Sequence, residues 1–367
     1  MEKMTHIRIS KYKKIRRSYV IFVGVFACFG IFALVRSLAA ISPNAKISEA
    51  ESYSSANAVT TISDAAASAS AYLQIDIPGG TEPNPSNAMW RPAADKPISF
   101  HWVLGGTIDT NDPVQMGLRD FSGATLPAPD VYDIDGEYNT AATVSYLHSI
   151  GKKVICYFDA GVYETYRSDA AKFQALSPQI WGNADQGWDG SFWLDIRRVN
   201  ELEPIIRSRI QMCKDKGFDS IEPDEITNWS NNPGFPITYN DQIVYNKAVA
   251  RWAHETGLSI GLKGDLEQAH DLVTDFDWTL NEECYQYSEC TSITNSGPGA
   301  DGKDYPGLQL FVQANKAVWV AEYNNFNAAQ WTNICADSKT NKFNTYRFKL
   351  GMPTNGGREP CTTNTAW

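Results

Sequence analysis

From residue 98 onward the chain repeats one unit, an apolar strand-like run followed by a stretch with helical spacing. Eight such runs occur: ISFHWVLGG (98–106), DVYDID (130–135), KKVICYFDAG (152–161), DSIEPDEI (219–226), LSIGLKGD (258–265), DWTLNEEC (277–284), KAVWVAEY (316–323) and FNTYRFKLG (343–351). Between them, residues 198–217 place Leu202, Ile205, Ile206, Ile210 and Cys213 on one helical face and stop at Gly217. Residues 241–257 do the same with Ile243, Val244, Ala248 and Trp252, stopping at Gly257. Eight strands alternating with helices over some 270 residues predict an α/β fold, a (β/α)8 TIM-like barrel, which typically needs about 250 residues. A doubly wound sheet also alternates, but it usually carries a Gly-rich phosphate loop after its first strand, and Gly105-Gly106 lacks that spacing.

The N-terminal quarter is built differently. Residues 1–18 form a basic tail, and residues 19–35 (YVIFVGVFACFGIFALV) carry no charge. With the LAAI that follows Arg36 and Ser37, the apolar segment 19–40 reaches the roughly 20 residues that span a bilayer. The basic flank stays cytoplasmic, so a type II signal anchor would hold the body outside the cell. The alternative is a signal peptide cleaved near Ser37-Leu38-Ala39, giving a secreted body, although the apolar run exceeds the ~7–15 residues of such a segment. Residues 41–97, rich in Ala and Ser and then in Pro and Gly, read as a flexible stalk. Residues 98–367 are the body.

Seven cysteines fit an oxidising compartment. Cys28 lies in the apolar segment, and six remain. Cys284 and Cys290 are near enough in sequence to close a local loop, and Cys335 with Cys361 would tie down the C-terminal tail. Cys156 and Cys213 either pair or remain buried thiols. No C-x2-C or His-rich spacing suggests zinc, the five histidines do not cluster, and no cofactor is expected. The one N-glycosylation sequon is Asn228-Trp229-Ser230.

Charge narrows the partners. Residues 1–36 hold eight Lys/Arg and one acid, leaving 24 basic against 41 acidic residues in the remainder. Such a body repels nucleic acid and attracts cations, which suits a polycationic substrate. Eleven Trp and seventeen Tyr suit sugar faces, although a large aromatic core explains them as well. Nothing in the sequence specifies an oligomer, and a monomeric body is expected.

Acids gather where a barrel keeps its chemistry, at the C-terminal ends of strands. The ends read Asp159, Asp224-Glu225, Lys263/Asp265, Glu282-Glu283 and Glu322-Tyr323. Helix capping accounts for one or two of these, but poorly for the Glu pair or the 222–225 cluster. Strand alternation puts Glu222 and Asp224 on one face, with Asp224 at the mouth, Glu222 a layer below, and Lys263 on the next strand. Two opposed carboxylates are the minimum equipment for glycoside hydrolysis. No G-x-S-x-G or H-E-x-x-H motif offers another mechanism.

VICYFDAGVYE (154–164), GFDSIEPDEIT (217–227), LSIGLKGD (258–265) and LNEECYQYSEC (280–290) resemble glycoside hydrolase family 114, the endo-α-1,4-polygalactosaminidases, and the apolar segment with its stalk resembles the fungal membrane-anchored type. The resemblance implies internal cleavage of α-1,4-linked galactosamine, as in partly deacetylated galactosaminogalactan, with retention. It maps the nucleophile onto Asp224 and the acid/base onto Glu282. Asp159, Trp193, Asp195, Glu222, Lys263 and Tyr285 are candidate substrate contacts. The acid/base must start protonated, which burial and the Glu283 and Asp224 charges would favour, while Lys263 would help Asp224 stay ionised. A glycan on Asn228 would crowd the cleft. A silent sugar-binding barrel, or a glycosidase acting on another α-linked polymer, is the alternative.

Overall fold

The computed structural model describes residues 58–63, 71–76, 89–296 and 299–361. The basic tail 1–18 and the apolar segment 19–40 lie outside the described residues. Among the described residues, no helix is long and apolar enough to cross a membrane. The chain divides into two units, residues 1–82 and 83–367.

In the first unit, β1 (Ala58–Ser63) and β2 (Ala71–Asp76) pair antiparallel, with Ala58 opposite Asp76. This hairpin falls inside the range read as a flexible stalk. Both segments carry β-branched or aromatic residues (Val59, Thr60, Thr61 and Ile62; Tyr72 and Ile75), the types that favour strands.

The second unit is an α/β fold of the TIM-like kind. Eight parallel strands follow chain order around a curled sheet. They are β3 (Phe100–Val103), β4 (Val131–Asp135), β5 (Lys153–Asp159), β9 (Ser220–Asp224), β10 (Ser259–Lys263), β11 (Trp278–Glu282), β14 (Val318–Glu322) and β15 (Asn344–Arg347). Each of the eight predicted runs contains one of them. The short β16 (Glu359–Pro360) adds antiparallel to β15. Burial on both faces explains the unbroken apolar runs: all five residues of β14 and all but the first of β5 are buried.

The long helices lie between strands as expected. One spans Val199–Lys216 and ends at Gly217 (φ 89°); the other spans Tyr239–Thr256 and ends at Gly257 (φ 79°). Both glycines take the left-handed conformation that closes a helix at little steric cost. The second helix starts two residues before the predicted position because Thr238 caps it, with Asp241 returning the bond in a capping box. The repeat is uneven. Residues 104–130, between β3 and β4, contain no helix, and the β5–β9 connection carries a small antiparallel sheet of β6 (Val162–Glu164), β8 (Ser191–Leu194) and β7 (Trp181–Ala184).

Two cores hold the body. One packs helices onto the outside of the sheet. The other fills the inside with Phe100, Trp102, Trp278, Trp319, Tyr346 and neighbours, where Phe100 stacks on Trp319 at 5.2 Å. The first and eighth strands share no backbone ladder. Side chains bridge that joint: Ile98 N donates to Asn344 Oδ1 (2.9 Å) and Phe100 N to the Tyr346 hydroxyl (3.1 Å). Arg358 adds bonds to the Phe100, Gly117 and Pro127 carbonyls.

The body also starts before residue 98. Arg91 pairs with Asp277 at 2.7 Å, and Pro92 O accepts the Ala317 amide at 2.9 Å. These backbone and charge contacts outweigh the Pro/Gly composition that suggested a linker. Disulfides join Cys156–Cys213, Cys284–Cys290 and Cys335–Cys361. The open question over Cys156 and Cys213 thus resolves as a bridge between β5 and the Val199–Lys216 helix.

Candidate active site

Parallel register brings the strand-end acids together. Asp159 and Asp224 are directly paired across β5 and β9, and Lys263 on β10 pairs with Leu280 of β11, two residues before Glu282. All four side chains converge on a cleft of about 450 Å³ or on the hollow beside it. Its walls include Tyr138, Tyr157, Glu164, Tyr166, Arg167, Asp185, Trp188, Glu225, Glu283 and Tyr323. The hollow, about 200 Å³, adjoins Asp224, Glu225 and Glu282 and is lined also by Thr227, Gly264 and Asn281.

Lys263 is the hub. Its ammonium stands 2.7 Å from Asp224 Oδ1, 2.8 Å from Glu282 Oε2 and 3.8 Å from Glu222 Oε1, and 5.0 Å from the centre of the Trp102 ring. Burial disfavours the cation, yet the Asp224, Glu282 and Glu222 carboxylates together hold its proton affinity well above the ordinary lysine value. The Asp224 and Glu282 oxygens on this one nitrogen cannot be farther apart than the two bonds laid end to end. Among the described residues, no His/Cys/Asp/Glu group could hold a metal ion. Lys263 supplies the positive charge at this position itself.

Glu282 departs from expectation in two ways. Its side chain is 35% exposed rather than buried, and it is ion-paired with Lys263 while accepting the Tyr323 hydroxyl. Lys263 therefore serves both carboxylates rather than Asp224 alone. Asp224 is more enclosed, with its side chain 14% exposed.

The backbone around Asp224 is tightly fixed. Its carbonyl accepts the Ala160 and Gly161 amides (2.9 and 3.2 Å), and its Oδ1 accepts the Glu225 amide (2.9 Å). A Cβ on Gly161 would collide with the Glu225 carbonyl, so only glycine permits this approach. Glu225, Asp265 and Glu283 each follow β9, β10 or β11 closely and take left-handed conformations (φ 56°, 48° and 59°). Non-glycine residues seldom adopt these, and they concentrate at functional sites.

A second network flanks the acids. Arg167 reaches Asp135 at 2.6 Å, Glu164 at 2.8 Å and Asp159 at 3.8 Å. Burial first, then the Glu164 and Asp224 charges, pushes Asp159 well above the usual carboxylate range. Asp185 is raised to about 6 by burial and by Asp224. Trp188, 48% exposed, presents a ring at the rim.

Of the candidate contacts, Asp159 lines the cleft and Lys263 the adjoining hollow. Glu222 lies fully buried beneath Lys263, where it accepts the Trp102 indole N–H (2.8 Å) and is closed to substrate. Trp193, Asp195 and Tyr285 do not line the cleft. Trp193 is buried on β8, Asp195 is held by Arg197 at 2.7 and 2.8 Å, and the Tyr285 hydroxyl donates to Asp337 at 3.0 Å. Asn228 is fully buried, with its amide nitrogen donating to the Gly161 and Leu194 carbonyls (2.7 and 3.2 Å). A glycan on that nitrogen and this packing exclude each other. Sequence reasoning missed Asp133, Glu164, Arg167 and Asp185. The available signal was VYDID, where Asp133 and Asp135 alternate within an otherwise apolar strand.

Paired acids bridged by a lysine at the C-terminal mouth of a parallel α/β sheet define the glycoside-hydrolase class. The chain belongs to glycoside-hydrolase family GH114, which it matches over residues 80–365. It is similar to Aspergillus fumigatus Ega3, whose crystal structure is a complex with galactosamine. Identity is 28% and the TM-score 0.60, over 75% of this chain and 98% of that one. The glycoside hydrolase domain of PelA from Pseudomonas aeruginosa aligns at 13% identity and TM-score 0.48, over 71% of this chain and 98% of that one. Among curated proteins, no sequence matches.

Proposed function

We propose that this protein is an endo-acting, retaining glycoside hydrolase that cleaves α-1,4-linked galactosamine in a partly deacetylated galactosaminogalactan-type polymer. The observation that carries the reading is the single Lys263 ammonium bound to both Asp224 and Glu282. It keeps their nearest oxygens within the roughly 5–5.5 Å of retaining enzymes and short of the ~6.5–9.5 Å that leaves room for an inverting water. Asp224 is the nucleophile and Glu282 the acid/base. Glu282 protonates the glycosidic oxygen as Asp224 attacks the anomeric carbon, breaking its bond to the leaving chain. Glu282 then takes a proton from water, which displaces Asp224 and releases the sugar.

Since Glu282 is not buried in the free protein, substrate must complete its setting. A sugar ring over the exposed edge removes water from around Glu282. Asp159, Asp185 and Glu225, whose burial favours the protonated form in the free protein, give the cleft carboxyl groups that ionise when a substrate ammonium pairs with them, and Trp188 gives a face for stacking. The acids line both the cleft and the hollow, and such extended space suits a polymer passing through rather than a chain end. The galactosamine in the Ega3 complex supports the choice of sugar. Three disulfides support a body outside the cytosol, either anchored by residues 19–40 or secreted after signal cleavage.

The test is product analysis by mass spectrometry on polymers of differing acetylation, with the first-formed anomer followed by NMR. Asp224→Asn and Glu282→Gln should each abolish cleavage while the fold survives, and the first product should be the α-anomer. A Glu282→Gln protein with wild-type turnover, or a β-anomer first, overturns the assignment. A wild-type protein that binds the polymer without releasing reducing ends is a sugar-binding barrel.

A further inference from the structure

Beneath the two catalytic acids lies a pair that this mechanism does not use. Asp133 and Glu222 are both fully buried inside the sheet. Asp133 sits on β4, registered with Trp102 of β3, and the same Trp102 donates its indole N–H to Glu222 Oε2. Neither Asp133 oxygen, nor Glu222 Oε1, receives a hydrogen bond from any N–H or O–H donor. The side chain that Asp133 meets is the Glu222 carboxyl.

Two carboxylates in contact, out of water and without a donor between them, repel strongly. The contact is stable when one of them carries a proton and donates it to the other. We propose that Asp133 and Glu222 share one proton, and that the single negative charge of the pair positions Lys263 between Asp224 and Glu282.

The geometry gives the reason. Lys263 stands 3.8 Å from Glu222, too far for a hydrogen bond, but it hydrogen-bonds Asp224 and ion-pairs with Glu282 above. A doubly charged pair below would draw the ammonium down and out of the catalytic gap. A neutral pair would leave Lys263 with attraction from above alone. One proton gives one charge, which balances the lysine from below without capturing it. The groups that bear on this balance are Lys263 on β10, Asp224 on β9, Tyr157 on β5 and the Tyr323 phenol after β14. Burial, followed by the neighbouring acid, raises Glu222 well above the carboxylate range, and burial brings Asp133 to about 7. Asp133 and Glu222 are thus positioning residues that act through Lys263, and Glu222 is not a substrate contact.

The kinetic test rests on the function proposed above; the spectroscopic one does not. Asp133→Asn retains a donor for Glu222 but cannot titrate. Its kcat should stay within about threefold of wild type at the optimum, with KM for the galactosamine polymer unchanged and the kcat–pH profile displaced by at least about half a unit. Asp133→Leu, similar in size but without a donor, should lower kcat at least about 30-fold at unchanged KM. Independently, the infrared difference between wild type and the Asp133→Asn/Glu222→Gln double variant at pH 8 should contain the carbonyl stretch of one protonated carboxyl. If the double variant fails to fold, the difference between wild type and Asp133→Asn replaces it, and the band should be present in wild type and missing from the variant at pH 8. An Asp133→Asn profile superimposable on wild type, an effect on KM alone, or no protonated-carboxyl band overturns the proposal. A protein with the band but no activity on any polymer leaves this inference standing and removes the function.

Discussion

Lys263→Met is the most informative single perturbation, because one ammonium serves three acids. At an effective dielectric near 20, each of its contacts with Asp224 and Glu282 is worth roughly 6 kcal/mol before desolvation. Removing the ammonium from water costs several kcal/mol, so much of that attraction is already offset. The variant recovers the lysine's desolvation but leaves Glu222 buried and Asp224 partly enclosed without their cation. Removing one member of a buried pair typically costs about 3–5 kcal/mol. Glu282 contributes little, since its side chain is 35% exposed and water screens it.

The loss must depend on pH, and its sign follows from the groups left behind. Glu222 binds its proton more tightly folded than unfolded, so it favours folding below its unfolded value of 4.5 and loses that advantage as pH rises. Lys263 normally pulls Glu222 back toward ionisation, and the variant lacks that pull. Wild-type Lys263, whose affinity is raised, contributes fully below its unfolded value of 10.5 and loses its contribution only above it. Urea unfolding should therefore show a deficit of about 3–5 kcal/mol at pH 8, shrinking below about 2 kcal/mol at pH 5 as Glu222 takes up a proton. Turnover should fall by ~10²–10³, comparable to the loss of one preorganised electrostatic group. A variant with a pH-independent deficit, or with near-normal turnover, would refute the view that this cation organises the site.

Gly161→Ala should drive its new methyl into the Glu225 carbonyl, costing about 1–3 kcal/mol; because the Asp224 turn must shift, turnover should fall more than thermal stability suggests. Trp102→Phe removes the donor to a fully buried Glu222 oxygen and should cost about 1–3 kcal/mol in urea unfolding, with little effect on KM. Removing the Cys156–Cys213 bridge, which spans 57 residues, should lower stability by about 2–4 kcal/mol and by more than removing Cys284–Cys290, which spans 6; calorimetry of the two double Cys→Ser variants compares them. Intact mass of the body secreted from a glycosylating host should show Asn228 unmodified, because its amide is committed to the Gly161 and Leu194 carbonyls.

What could be seen in the sequence follows the physics of each signal. Strands buried on both faces are rich in large apolar residues, so all eight were visible, most plainly KAVWVAEY around β14, even where buried acids interrupt the run as in VYDID. Gly217 and Gly257 marked helix ends because few other residues take the left-handed turn. The E-P-D and N-E-E acids stood out because acids clustered at the end of an apolar strand are unusual, and period-two alternation placed Glu222 beneath Asp224. The remaining features depend on contacts with no periodic trace. Residues 162–194 leave the repeat to form β6, β7 and β8, and that excursion brings Glu164, Arg167 and Asp185 to the cleft while carrying Trp193 and Asp195 away from it. Tyr285 is close in sequence to Glu282, but the short helix it occupies, Cys284–Tyr287, sends its hydroxyl to Asp337. The sequon at Asn228 carries no sign of burial, since its amide is committed to two carbonyls contributed by other segments.

The joint between the first and eighth strands has a consequence for how the ring opens. Every other neighbouring pair of the eight exchanges backbone bonds, whereas Ile98 and Phe100 rely on Asn344 and Tyr346 side chains. Side chains change rotamer without unzipping a ladder, so the Ile98 and Phe100 amides should exchange with deuterium sooner than those of β9 and β10 on the far side. Leu104 and Met352, which line the cleft, continue from the two strands at that joint. At the mouth the Leu104 and Gly105 amides both donate to the Met352 carbonyl (3.1 Å each), so the joint is pinned by backbone beside the cleft and held by side chains below it.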